Sequence, residues 1–126
     1  MVPPSHRDLL TGASTAAVTT IGADGFPQTS AIWFMWEDDR LWFSTKRWAA
    51  KYRNVLARPQ VGFLVIDPAD EFRYVELRGT ATVAEDPGCA WRDRIRAKHG
   101  VLGAPDAAAA DRVLIIVAPH HVVVHP

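Results

Sequence analysis

Hydrophobic and polar residues alternate with a period of two through much of this chain. The clearest run is RYVELRGTATVAE, residues 73–85, where Val75, Leu77, Ala81 and Val83 share one phase and Glu76, Arg78, Thr80 and Thr82 the other. A strand with one face on a core and one in water requires that pattern. Gly79 falls in the apolar phase, where a bulge or bend would fit. Val18 and Ile21 mark an earlier strand. The Asp-Gly turn in GADGFP predicts a hairpin into a second strand from Gln28 to Trp36. After the EDD turn, Leu41-Trp42-Phe43 starts a third. VGFLVID, 61–67, reads as a buried strand, and RVLIIVAPHHVVVHP as a strand, a proline break and a further short strand.

Helical spacing interrupts this alternation. SHRDLLTG reads as a short helix that Ser5 can cap and Gly12 can end. DPGCAWRDRIRAKHG, 86–100, has Pro87 in its first turn and Gly100 at its end. From Lys46 to Arg58 a helical projection gathers Trp48, Ala49, Tyr52, Val55 and Leu56 into an apolar stripe, and Arg47, Lys51, Asn54 and Arg58 into a polar one. Ser44 and Thr45 are the expected N-cap residues and Pro59 the stop. VLGAPDAAAAD reads as a surface loop or frayed helix. About six strands, two or three short helices and no βαβ alternation predict one mainly β domain over residues 1–126, a small closed antiparallel barrel.

From Ala31 to Met35 both phases are apolar: Ile32 and Phe34 on one side, Ala31, Trp33 and Met35 on the other. A small barrel has one interior, so a second subunit is expected to cover the other face, giving a homodimer. The 14 basic and 14 acidic residues cancel, which argues against a nucleic-acid coat or a membrane-surface role, since both need a broad basic field. With Cys89 the single cysteine, no intrachain disulfide can form. No leader-like or membrane-length apolar run is evident, and a cytoplasmic location is expected. Four of the five tryptophans, Trp33, Trp36, Trp42 and Trp48, cluster as core rings, a ring-lined pocket or a subunit interface.

Within this neutral chain FSTKRWAAKYRNVLARP, 43–59, carries Lys46, Arg47, Lys51, Arg53 and Arg58 and no acid. A helix start there, with Ser44 and Thr45 hydroxyls and the Lys46 and Lys51 ammonium groups, would hold a phosphate; a solvated basic face is the plainer reading. Neither dinucleotide nor P-loop glycine fingerprints occur. His121 and His125 can share a strand face but have no third ligand nearby, so no metal is expected. Cys89 reads as a packing residue, and no nucleophile–base pair or close carboxylate pair is evident. Any redox chemistry would therefore belong to a bound cofactor.

DGFPQTSAIWF, LWFST, KYRNVLARPQVGFLV and YVELRGTA occur in that order over residues 20–83, with a weaker match in RVLIIVAPHHV. Together they resemble the flavin/deazaflavin oxidoreductase superfamily, with its FMN-binding split β-barrel like that of pyridoxamine 5′-phosphate oxidase, and most closely its small branch that uses coenzyme F420. The resemblance implies a dimer with cofactor sites at its interface. Ser30, Ala31, Ile32 and Trp33 would run beside the cofactor ring, Ser44 and Thr45 would meet its ribityl phosphate, and Lys51 with Lys46 would hold that phosphate. Tyr74 would approach from the second chain. Arg47, Arg53 or Arg58 would face the acidic oligoglutamate tail of F420. Trp48 stands where relatives often have a small residue, and the C-terminal groups that complete some relatives' substrate pockets are not expected here. No catalytic side chain is identified. The implied activity is hydride transfer between F420 and an unsaturated small molecule; the alternatives are an FMN-dependent oxidase or reductase and a non-catalytic F420 carrier.

Overall fold

The alternating positions are the ones the fold buries. Val75 and Leu77 are fully enclosed, and Val18, Leu41, Phe43, Phe63, Val65, Ile115 and Val117 join them in one core. Each such side chain contributes about 1.5–3 kcal/mol through its removal from water. The computed structural model describes residues 1–103 and 105–126. Strands β1 (Thr15–Ile21), β2 (Pro27–Trp33), β3 (Met35–Glu37), β4 (Arg40–Lys46), β5 (Gln60–Asp67), β6 (Asp70–Glu85) and β7 (Arg112–His125) form one sheet in the order β2-β1-β5-β6-β7-β4-β3. Every neighbouring pair is antiparallel. Three short helices accompany it: α1 (Arg7–Thr11), α2 (Ala50–Ala57) and α3 (Ala90–Lys98).

The two outermost strands, β2 and β3, are consecutive in the chain and separated by Phe34 alone. The sheet must therefore curl until its edges approach each other, yet no ladder joins them. This is a split barrel, with a seam where a closed barrel would be hydrogen-bonded. The strand expected from Gln28 to Trp36 is accordingly two strands, because its first part pairs with β1 and its second with β4. At the seam Phe34 is fully buried, and its carbonyl accepts a hydrogen bond from Lys98 Nζ at 3.1 Å.

Strand β7 runs unbroken through Pro119. Its ladder with β6 shifts there: Arg78 faces His121 and Gly79 faces Pro119, leaving His120 as the extra residue. Gly79 is required by close approach, since a Cβ at this position would lie 2.1 Å from the Ala118 carbonyl oxygen. The bend expected at Gly79 is present.

The helix expected over Lys46–Arg58 begins later. Lys46 still pairs with Arg112 in the β4–β7 ladder, and the Arg47 amide donates to the Asp111 carbonyl at 2.9 Å. The chain turns through residues 47–49 before α2 starts. Ser44 and Thr45 are strand residues, not caps, and Ala49 at the N-cap offers no side-chain bond. The apolar stripe also moves: Val55 is buried, but Leu56 and Trp48 are exposed, and Asn54 is buried with its amide donating to Thr20 Oγ1 and Gln28 Oε1.

Helix α3 is pinned along β4. Asp86 accepts the Trp91 and Arg92 amides at its start, and the Trp91 ring stacks on Trp42 at 4.1 Å. Cys89 is buried before it in a left-handed conformation, and burial pushes its thiol pKa up, as suits a packing residue. The loop expected over residues 101–111 includes Ala104, outside the described residues; its later part carries Asp106 and a single helical turn, Ala109–Asp111.

Candidate cofactor site

Beside the seam the elements enclose a cavity of about 460 Å³. Its floor is the end of β4, with Ser44, Thr45 and Lys46; β2 contributes Ala31, Ile32 and Trp33. Lys51 reaches it from the first turn of α2, Arg92, Ile95 and Arg96 from α3, and Arg112 from the start of β7. The size suits a cofactor or other small molecule.

Five cations line this space and no carboxylate does. Two of them are partly neutralised from behind. Arg112 donates to Asp106 at 2.7 Å, Arg92 lies 3.5 Å from the same carboxylate, and Arg92 also bonds Asp93 at 3.1 Å. The Arg112 hydrogen bond is the main cause that holds the Asp106 carboxyl below the usual range. Among the described residues, Lys46 meets only the Trp48 ring, 5.8 Å from its ammonium to the centroid. Among the described residues, Lys51 and Arg96 have neither an ion pair nor a side-chain hydrogen bond. Burial alone lowers the Lys51 pKa from its usual 10.5.

Ser44 adds a further sign of an absent partner: its hydroxyl is buried without a hydrogen bond. Buried hydroxyls without a partner are rare in native proteins, and a ligand oxygen would satisfy this one. The opposite wall carries an aromatic stack, with Trp33 and His99 rings parallel at 4.0 Å. His99 Nε2 is buried without a partner, and burial first, then the Lys98 charge, lowers its pKa below 6.5.

Of the residues expected at a cofactor site, Ala31, Ile32, Trp33, Ser44, Thr45, Lys46 and Lys51 line this one cavity. Ser30 lies next to it on β2, opposite Val18, and is not part of the lining. Tyr74 is on β6, stacked on His125, and does not line the cavity of its own chain. The arginines expected to face an acidic tail have other partners. Arg47 makes a two-bond fork to Glu85 at 2.9 and 2.7 Å, Arg58 donates to the Ile21 carbonyl, and Arg53 to the Trp48 carbonyl. The sequence reading missed Arg92, Ile95, Arg96 and Arg112. A helical projection of residues 90–98 would have put the first three on one face, at i, i+3 and i+4.

The sequence pattern of the pyridoxamine 5′-phosphate oxidase family matches residues 2–125. The chain belongs to this flavin/deazaflavin oxidoreductase family. A solved structure named F420 reductase shares 35% identity over 97% of this chain and 98% of its own, with a TM-score of 0.92. A conserved hypothetical protein from Mycobacterium tuberculosis is 23% identical over 99% of this chain and 84% of its own, with a TM-score of 0.83. General Stress Protein 26 from Bacillus anthracis is also 23% identical, over 94% of this chain and 89% of its own, with a TM-score of 0.72. These last two share the fold. No curated protein matches the chain. The oxidoreductase character of the family fits a site rich in groups that can bind an anionic cofactor.

Proposed function

We propose that this protein is an F420-dependent oxidoreductase that reduces an unsaturated small molecule. The observation that carries the reading is Lys51, an ammonium drawn partly out of water into the cavity with no counter-ion, facing the same space as the unpartnered Ser44 hydroxyl. A phosphate would satisfy both, and the 35% identical neighbour is named F420 reductase. Lys51 and Lys46 hold the cofactor's phosphate by charge. Ser44 donates its hydroxyl to a ribityl or phosphate oxygen, and Thr45, buried at the floor, fixes that end of the site. Ala31, Ile32 and Trp33 lie along the ring, with Ser30 at its margin. A bound deazaflavin in its reduced form would supply a hydride from C5, and a proton from solvent or a nearby side chain would complete the two-electron reduction. The chain's own part is to exclude water and to hold the acceptor carbon at near-attack distance, about 3–3.5 Å.

In this reading the working unit is a homodimer. Ala31, Ala17 and Leu64 align across β2, β1 and β5 on the outward face of the sheet, next to the exposed Trp33 and Ile66. A second copy there covers apolar surface and gives Tyr74 of the partner subunit its route to the ring.

Titration of the purified protein with F420 and with FMN, followed by fluorescence, tests the cofactor. Tighter binding of F420 is expected, and a preference for FMN overturns the F420 assignment in favour of an FMN-dependent oxidase or reductase. Reduced F420 is then mixed with a panel of enones and quinones. Binding without oxidation of the cofactor would make the protein a carrier.

A further inference from the structure

The cations of the cavity are not one patch. Lys46 and Arg112 are ladder partners, and Arg92 shares Asp106 with Arg112, so these three gather at one end. Arg96 is one helical turn further along α3, about 6 Å of rise from Arg92. It lies toward His99, whose ring stacks on Trp33. Asp93, the acid nearest to Arg96 on the helix, is bonded to Arg92. Arg96 thus lines the cavity at its Trp33 end, beside Ile95, with a guanidinium that no acid or carbonyl among the described residues engages.

We propose that Arg96 is a specificity residue that binds the carboxylate of the second reactant. The inference rests on the reading that Lys46 and Lys51 take the cofactor phosphate, which leaves the anion at the ring end to the molecule being reduced. A planar guanidinium presents paired N–H donors that match a carboxylate, whereas an ammonium acts as a point charge. Trp33 and Ile95 flank it with apolar surface, so the favoured ligand is a flat, conjugated acid whose unsaturated body lies against the cofactor ring. The substrate class is an organic acid carrying a conjugated acceptor remote from its carboxylate.

The test uses 4-carboxybenzylideneacetone, an enone with a carboxylate at its far end, and its methyl ester. Calorimetry on the cofactor-free protein is expected to show the acid binding at least about tenfold tighter than the ester, the effect of one charge-assisted contact. Arg96→Met should remove that preference and leave the ester unchanged, while Arg96→Lys restores part of it. Lys51→Met should weaken inorganic phosphate and spare the acid. With F420 present, the acid's advantage should appear in KM and vanish in Arg96→Met. Equal binding of acid and ester to the wild-type protein overturns the proposal. So does an Arg96→Met defect that falls on F420 but not on FMN or the acid, which would give the site to the cofactor's own acidic tail. An acid preference that depends on Arg96 in a protein that binds neither cofactor keeps the subsite and removes the F420 reading.

Discussion

At Lys51 an ammonium lies half-buried with no carboxylate beside it, and burial lowers its pKa. An anion reverses that penalty, so Lys51→Ala should weaken F420 binding by about 1–3 kcal/mol, the range for a charged hydrogen bond lost at a buried site. A dissociation constant unchanged in the variant would remove Lys51 from the phosphate site. Ser44 should behave in two directions at once. Its unpartnered hydroxyl destabilises the ligand-free fold, so Ser44→Ala should raise the thermal midpoint without cofactor and weaken cofactor affinity by about 0.5–1.5 kcal/mol. His99 carries a pH dependence. Its folded pKa lies below the 6.5 of the unfolded chain, with burial the first cause. Above pH 6.5 both states are neutral and the group contributes nothing; as the pH falls below it, the unfolded chain takes up the proton first and stability is lost. Urea midpoints should therefore drop between about pH 7 and 5, and His99→Phe, which keeps a ring on Trp33, should flatten that drop.

Secondary elements show where local sequence decides and where it does not. Gly79→Ala would press a Cβ onto the Ala118 carbonyl, and a loss of about 1–3 kcal/mol is expected from such overpacking, measured by urea denaturation. Ala49→Ser should do the opposite, adding about 1 kcal/mol by capping α2. The strands were legible because alternation is a local record of which face is buried, and the Gly79 bend was legible because a glycine in the apolar phase has no packing role. The start of α2 was not, because the Lys46–Arg112 pairing that prolongs β4 involves a residue 66 positions away. The division of β2 from β3 depends likewise on which neighbour each half pairs with. Charge in the 43–59 stretch was misleading in part for the same reason: the acids that engage Arg47, Glu85 and Asp111, come from other strands and turns. The motif around Lys46 and Lys51 pointed to residues that the fold brings to one cavity. The α3 arginines show helical spacing, but spacing does not say which face meets a cavity.

For the whole molecule, the outward row of Ala31, Ala17 and Leu64 predicts that Leu64→Arg shifts the protein from dimer to monomer in analytical ultracentrifugation. On the proposed dimer F420 affinity should fall with it; a wild-type monomer that binds F420 with full affinity would end that reading. None of the described helices is long and apolar enough to cross a membrane. The seam at Phe34 has a last consequence. Lys98 donates to the carbonyls of both Leu10 and Phe34, so the C-terminal end of α3 is fastened to the gap in the sheet. Loosening that gap releases the helix that walls the ligand, and amide exchange at Phe34 and along Arg92–Lys98 should proceed at a common rate, slowed together once a ligand bridges them.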